Sequence, residues 1–114
     1  MTILLTGATG FLGSHLLKAL INKGYEVVVL KRSTSNMWRL KGFENAFKSY
    51  DIDQVPLRKA FEEQYIDTII HTACVYGRKG ESMQQILETN LMFGIELLNT
   101  CLLYTSDAAD DLLC

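Results

Sequence analysis

The chain has 114 residues, 48% of them hydrophobic, with one proline and a net charge of −2. That length leaves room for one domain with a modest core, and that composition excludes a disordered chain. No apolar run nears the ~18 residues that a bilayer demands, no charged-then-apolar leader is visible, and no basic run points to nucleic acid, so a cytoplasmic protein is expected. All 11 Lys and Arg precede residue 101, whereas Asp107, Asp110 and Asp111 follow it. Cys74, Cys101 and Cys114 have neither metal-ligand spacing nor a disulfide framework. The first predicted element is a short strand, Ile3-Leu4-Leu5, running into Thr6 and Gly7. Gly10 and Gly13 follow at spacings of three, and the apolar residues then switch to helical spacing. Strand, glycine turn and helix in that order build a phosphate site. Gly7 allows the sharp turn, Gly10 lets backbone pass close to a pyrophosphate, and Gly13 lets the helix sit tight on the strand. The helix N-terminus then offers unpaired N–H groups to the anion. The alternative is a glycine-rich turn with no ligand. The helix is predicted over residues 11–23, with Leu12, Leu16, Ala19 and Leu20 as its buried face and Gly24 as its stop. His15, in its first turn, is read as a structural or partly exposed histidine.

The spacing Gly-x-x-Gly-x-x-Gly, preceded by Thr6 and followed by Phe11-Leu12-Gly13-Ser14-His15-Leu16, resembles the extended short-chain dehydrogenase/reductase family. That family includes nucleotide-sugar epimerases, dehydratases and reductases. The resemblance implies an α/β fold, the N-terminal part of a Rossmann-type doubly wound parallel sheet with strand order 3-2-1-4. It also implies a dinucleotide held by Gly7, Gly10, Phe11, Leu12 and Gly13. Residues 26–31 read as the second strand, whose continuous Val27-Val28-Val29-Leu30 run marks burial on both faces. NAD-preferring relatives carry an acidic residue about 20 positions after the glycine turn to hold the ribose hydroxyls. Here Lys31, Arg32 and Ser33 stand there. A cation pairs with a 2′-phosphate, so NADP is favoured, with NAD possible; solvated loop charges are the plainer alternative. A short helix is expected within 36–41, where Trp38 reads as packing rather than as adenine stacking. A weak third strand is placed at 47–50. By resemblance, Asp51 accepts from the adenine amino group and Ile52 covers the ring. Asp53 reads as the cap of the next helix, with Pro56 in its first turn and Leu57, Ala60 and Phe61 on its apolar face to about Tyr65.

Residues 67–73, D-T-I-I-H-T-A, form the predicted fourth strand and its exit. They resemble the family's "D-x-V-I-H-x-A-A" segment, with Cys74 for the second alanine. Thr72, Ala73 and Cys74 are then expected to pass close to the cofactor's phosphates and nicotinamide ribose, Cys74 as a small buried residue and His71 as a core residue at the strand end. Residues 75–81 read as a loop whose Tyr76-Gly77-Arg78-Lys79-Gly80 run could face substrate. A long helix from Ser82 has Ile86, Leu87, Leu91, Ile95 and Leu98 as its stripe. Its E-T-N-L-M-F-G-I-E-L-L run resembles the family helix after the fourth strand, with Asn90 a buried polar tie and Gly94 a close-packing point.

The resemblance places catalysis on a Ser/Thr and a Tyr-x-x-x-Lys pair, the tyrosine moving the hydroxyl proton. Tyr25, Tyr50, Tyr65 and Tyr104 are followed four residues on by Val29, Gln54, Ile69 and Ala108, and Tyr76 by Gly80. No catalytic residue is therefore assigned. A fifth strand is not expected either, so the fourth would be an open edge and the Ser82 helix would lack half its cover. Residues 101–114 resemble a translated sequencing-library adapter: the ten residues Cys101 to Asp110 match it in order, with Cys101 itself ambiguous. The alternative is an acidic helix start capped by Ser106. On this reading residues 1–100 are a partial NAD(P)-binding domain, an N-terminal fragment of a longer enzyme, and 101–114 are a non-native tail. The parent is expected to act on a nucleotide-linked sugar and leaves room for a homodimer. The stretches L-K-R-S-T-S-N-M-W-R-L and I-H-T-A-C-V-Y-G-R resemble bacterial 4-keto-sugar reductases of surface-polysaccharide synthesis. The competing reading is a non-catalytic dinucleotide sensor of the same fold, or a chain without function as written.

Overall fold

In the computed structural model, residues 1–74 and 79–104 are described, together with the backbone of 112–113. Tyr76, Gly77, Arg78 and Ser106 of the sequence reading lie outside them. The strands are β1 (Thr2–Thr6), β2 (Glu26–Lys31), β3 (Lys48–Asp51), β4 (Thr68–His71) and β5 (Leu112–Leu113). The helices are α1 (Phe11–Asn22) and α2 (Arg58–Glu63), then a continuous rod made of α3 (Met83–Leu87), a π-helical turn (Glu88–Met92) and α4 (Phe93–Tyr104). Single 3-10 turns at Trp38–Leu40 and Glu44–Ala46 bridge β2 to β3. All pairings are parallel and the order is β3-β2-β1-β4-β5. The expected 3-2-1-4 arrangement is present.

Burial alternates along the central strands because successive side chains point to opposite faces. Leu4, Val28, Leu30 and Ile69 pack with Leu57, Ala60 and Phe61 at α2 and with Leu97 and Cys101 of α4. Ile3, Leu5, Val27 and Val29 pack on the other face with Leu17 and Leu20 of α1 and with Leu40. Covering both faces is what an apolar run such as Val27-Val28-Val29-Leu30 requires. Register then sets the site: Thr6 stands between Leu30 and His71, and Lys31 lies opposite Asp51.

Several local expectations are corrected. The buried face of α1 is Gly13, Ser14, Leu17 and Leu20, and Leu12 is 66% exposed. The contact of Gly13 with the Gly7 carbonyl turns the helix to that face. Gly24 does end α1, with φ +88 and its N–H on the Ile21 carbonyl. Trp38 is exposed and stacked under Arg39, while its neighbour Leu40 fills the core. Asp53 makes no cap for α2; it takes the Ser33 N–H and the Arg32 guanidinium instead. Ser82 does cap the rod, in a reciprocal box with Gln85.

The rod docks through Phe93, Leu97 and Cys101, not through the predicted stripe; Leu87, Leu91, Ile95 and Leu98 are exposed, as is Asn90. Both faces are apolar, so periodicity alone leaves the choice open. The face with small residues wins because it lets the helix approach the sheet: Gly94 lies over His71, where a Cβ would be 3.7 Å from Nε2. By length and composition alone the 22-residue rod, mean hydropathy 1.3, is long and apolar enough to cross a bilayer, contrary to the sequence expectation. Here Leu97 and Cys101 dock it on the sheet. The open edge at β4 is also corrected: Leu112 and Leu113 pair with Ile69 and Ile70. An unpaired strand edge accepts any extended apolar segment, and two leucines are too few to show a strand pattern.

Candidate functional site

At the carboxyl ends of β1 and β4 lies an open cleft of about 340 Å³, lined by Thr6, Gly7, Thr9, Gly10, Leu30, Lys31, Arg32, Ser35, Ile52, Thr72, Ala73, Cys74, Thr89 and Phe93. Parallel α/β sheets bind ligands at this end because adjacent strands there send their chains to opposite faces. The three glycines divide their work. Gly7 has φ +75, and a Cβ on it would overlap Thr72 Oγ1 and come within 2.7 Å of the Ala73 nitrogen. A Cβ on Gly13 would overlap the Gly7 carbonyl oxygen and meet Ala8 Cα at 2.9 Å. These two are held by the protein's own packing. Gly10 is different: a Cβ there would meet only the Gly7 carbonyl oxygen, at 3.4 Å, and would otherwise project into free space beside the cleft. Space kept clear at an extended, unstrained residue (φ −84) at the start of α1 fits an anion seated on the helix N-terminus.

A hydroxyl ties the two strand exits together. Thr6 Oγ1 accepts from the Thr72 N–H at 3.1 Å and the Ala73 N–H at 3.3 Å. Its two lone pairs are then used, so its proton goes to His71 Nδ1, 2.5 Å away. That bond leaves the imidazole proton on Nε2, toward Gly94 and the edge-on Phe93 ring. Burial holds the His71 pKa below its ordinary value, so the neutral form is the one this arrangement keeps. The Thr72 hydroxyl returns a 2.7 Å bond to the Thr6 carbonyl. Thr6 is thus a residue that sequence reasoning missed; its signal was a threonine at a strand end facing a second strand end.

At the other end of the cleft the charges are paired. Arg32 Nε bonds Asp53 Oδ1 at 2.9 Å, and Lys31 Nζ stands 3.8 Å from Asp51 Oδ2. Ser33 donates its hydroxyl to Asp51 at 2.7 Å and its N–H to Asp53 at 2.9 Å. The Ser33 hydroxyl, the Asp53 N–H and Lys31 together hold the Asp51 carboxyl below the usual aspartate range. Of the sequence-predicted set, Gly7, Gly10, Lys31, Arg32, Ile52, Thr72, Ala73 and Cys74 meet on the cleft wall. Gly13 lies buried behind it, Ser33 and Asp51 stand one layer back in the polar network, and Phe11 and Leu12 are exposed at the start of α1. Cys74 is exposed on the cleft rather than buried, a correction that follows from its place past the end of β4. Thr89 and Phe93, one turn apart across the π-helical turn, close the cleft from the rod; both lie in the run that resembles the family helix, though neither is singled out there.

The profile of the family described as "NAD dependent epimerase/dehydratase family" matches residues 3–109. A UDP-glucose 4-epimerase of Caenorhabditis elegans is 33% identical, covering 91% of this chain and 35% of the relative. A CDP-abequose synthase of Salmonella muenchen is 31% identical, covering 84% and 31%. The solved UDP-glucuronic acid 4-epimerase of Bacillus cereus, in complex with NAD, is 34% identical and superposes with a TM-score of 0.69 over 89% of this chain and 35% of that one. The chain spans about a third of the length of these relatives.

Gly10→Val is expected to abolish dinucleotide binding, read by NADPH fluorescence titration, at a stability cost of about 1 kcal/mol. Gly13→Val is expected to cost about 3 kcal/mol or more in urea unfolding, because backbone must move. Unchanged titration by Gly10→Val would remove the pyrophosphate assignment. The low His71 pKa has a sign: stability is full above the ordinary value of 6.5 and is lost as pH falls from there through the folded value. The urea midpoint should therefore drop between about pH 7 and about pH 5, and drop less in His71→Gln. Equal drops in both proteins would show that His71 is not the group responsible.

Proposed function

The chain belongs to the NAD-dependent epimerase/dehydratase family, and we propose that residues 1–100 are the NAD(P)-binding part of an enzyme that epimerises, dehydrates or reduces the sugar of a nucleotide sugar. The cleft at the ends of β1 and β4 supports this reading, because Gly10 keeps open the space that a pyrophosphate needs at the start of α1. Gly7, Gly10 and the first N–H groups of α1 hold the pyrophosphate. Ile52 covers the adenine with Asp51 at its edge, and Thr72, Ala73 and Cys74 line the passage to the nicotinamide ribose. When bound, the dinucleotide supplies hydride transfer at its nicotinamide. The protein's part is to seat it and to fix the strand exits through the Thr6 hydroxyl. No Tyr-x-x-x-Lys stands within these 114 residues, so on this reading the chain alone shows no turnover. Residues 101–114 are read as a tail foreign to the enzyme.

The cofactor is assigned as NADP in preference to NAD, from Lys31 and Arg32 at the ribose end. A second reading, NAD, is favoured by one observation: each of these cations already faces an aspartate. A 2′-phosphate must share them.

Two outcomes test the function. Hydride transfer followed by nicotinamide absorbance, with a panel of nucleotide 4-keto-sugars, is expected to be absent from the 114-residue chain; turnover by it would overturn the assignment of chemistry to other residues. NADPH is expected to bind more tightly than NADH, and Arg32→Ala to weaken NADPH about ten- to a hundredfold, the worth of a charge-assisted contact of about 1.5–3 kcal/mol. A wild type that prefers NADH would replace the NADP reading by the NAD one.

A further inference from the structure

We propose that protonation of His71 loosens the hold of the cleft on a dinucleotide, because the imidazolium takes the Thr6 hydroxyl away from the Ala73 N–H on the cleft wall. The inference rests on the dinucleotide reading above and goes beyond it by giving that site a pH-dependent regulation.

A hydroxyl has one proton and two lone pairs. At Thr6 all three are in use. The lone pairs take the Thr72 and Ala73 N–H groups at 3.1 and 3.3 Å, and the proton goes to His71 Nδ1. That arrangement holds only while Nδ1 is an acceptor. A proton on Nδ1 sets two donors against each other at 2.5 Å. The hydroxyl must then turn and accept from Nδ1, which leaves one lone pair for two N–H groups. The Thr72 N–H has a second acceptor, the Thr6 carbonyl at 3.3 Å. The Ala73 N–H has no second acceptor among the described residues. Ala73 therefore loses its bond, and Ala73 lines the cleft between Thr72 and Cys74. A donor left without a partner inside the protein is costly, so the exit of β4 must move to bring it to water.

The ring has no free route away from this conflict. Its Nε2 side faces Gly94, and Phe93 meets it edge-on with centroids 5.6 Å apart. A swing away from Thr6 presses on Phe93, which also lines the cleft. Both responses to the proton thus reach the same wall.

The elements around His71 bring no opposing charge to it among the described residues. β1 and β4 hold no other titratable side chain, and Asp67 bonds the Thr2 N–H at their opposite end. On the rod, Glu88 and Glu96 line a neighbouring pocket with Arg32 and Asp53, and Cys101 lies in the core beside Leu97. Cys74 stands three residues on, at the cleft. Burial is what holds the imidazole below its ordinary range, so the neutral, accepting form prevails near neutral pH and is lost as pH falls. His15, the other histidine, stands against the Phe11 ring in the first turn of α1. Its protonation adds positive charge beside the pyrophosphate and acts in the opposite sense.

Linkage supplies the test. A dinucleotide that prefers neutral His71 must lower the His71 pKa by the factor by which protonation weakens binding. The negative charge of the dinucleotide acting alone would raise it, so the sign is decisive. The two imidazoles are followed by proton NMR from about pH 7.5 to about pH 5, assigned through His71→Gln, with and without saturating NAD⁺ or NADP⁺. Binding is expected to lower the His71 midpoint by about 0.7 pH or more, equivalent to about fivefold in affinity. In the free protein the Ala73 amide resonance is expected to move with the same midpoint as His71. His71→Gln keeps an acceptor for the Thr6 proton in its amide oxygen and does not titrate. By calorimetry, wild type is expected to lose about fivefold more affinity across the His71 titration than His71→Gln, which retains His15. A His71 midpoint that binding leaves unchanged or raises would overturn the inference and leave the dinucleotide site standing. An Ala73 amide that ignores His71, or equal losses of affinity in the two proteins, would do the same. Failure of both dinucleotides to bind at about pH 7.5 would remove the dinucleotide reading and this inference with it.

Discussion

The close approach of α1 to the turn that leaves β1 is the constraint on which the rest of the structure depends. Gly13 lies against the Gly7 carbonyl, and Gly7 in turn lies under Thr72 and Ala73, with no room for a Cβ at either contact. That seating points the N-terminus of α1 at the cleft and turns Leu17 and Leu20 onto the sheet. It also holds the exit of β4 beside the exit of β1, so the cleft is bounded by two strand ends rather than by loops alone. Backbone touching backbone has few ways to relax, which is why the site is positioned by glycines and not by side chains.

Polar bonding completes what packing begins. The Thr6 hydroxyl is buried and fully used, accepting two N–H groups and donating to His71. The Thr72 N–H is shared between the Thr6 hydroxyl and the Thr6 carbonyl, and the Ala73 N–H bonds the same hydroxyl just past the end of β4, where an unmade bond would cost more than a made one gains. At the opposite end of the cleft, Asp51 and Asp53 organise the β2 exit through Ser33 N–H and Oγ and through the two neighbouring cations. One rim is thus neutral and tightly bonded. The other is charged, with each of its two cations facing an aspartate.

Much of this was legible in the amino acids. The glycine spacing, the strand at 26–31, the stop at Gly24 and the α2 face of Leu57, Ala60 and Phe61 all rest on short-range rules, because turn conformation and side-chain period are properties of neighbours in sequence. The misreadings share a different cause. Periodicity puts Leu12 and the stripe of Leu87, Leu91, Ile95 and Leu98 inside, because a helix that is apolar on more than one side does not declare which side docks. Trp38 reads as packing, Cys74 as a small buried residue and Asn90, by resemblance, as a buried tie, yet all three are exposed. Asp53 reads as a cap from its position before a helix, but its carboxylate is taken instead by Arg32, a partner 21 residues away in sequence.

By itself the sequence determined a glycine turn between a first strand and a first helix, a second strand buried on both faces, and two cations at the end of that strand. These follow from local conformation and from composition at fixed spacings. Only the tertiary structure decided that Gly7 and Gly13 serve the protein's own packing while Gly10 has open space beside it. It alone joined Thr6 to His71, Thr72 and Ala73, paired Lys31 and Arg32 with Asp51 and Asp53, and brought Arg39 to the glycine turn. Each of those outcomes depends on segments distant in the chain meeting at the end of one sheet. Contact and charge compensation between them exist only once the strands are in register.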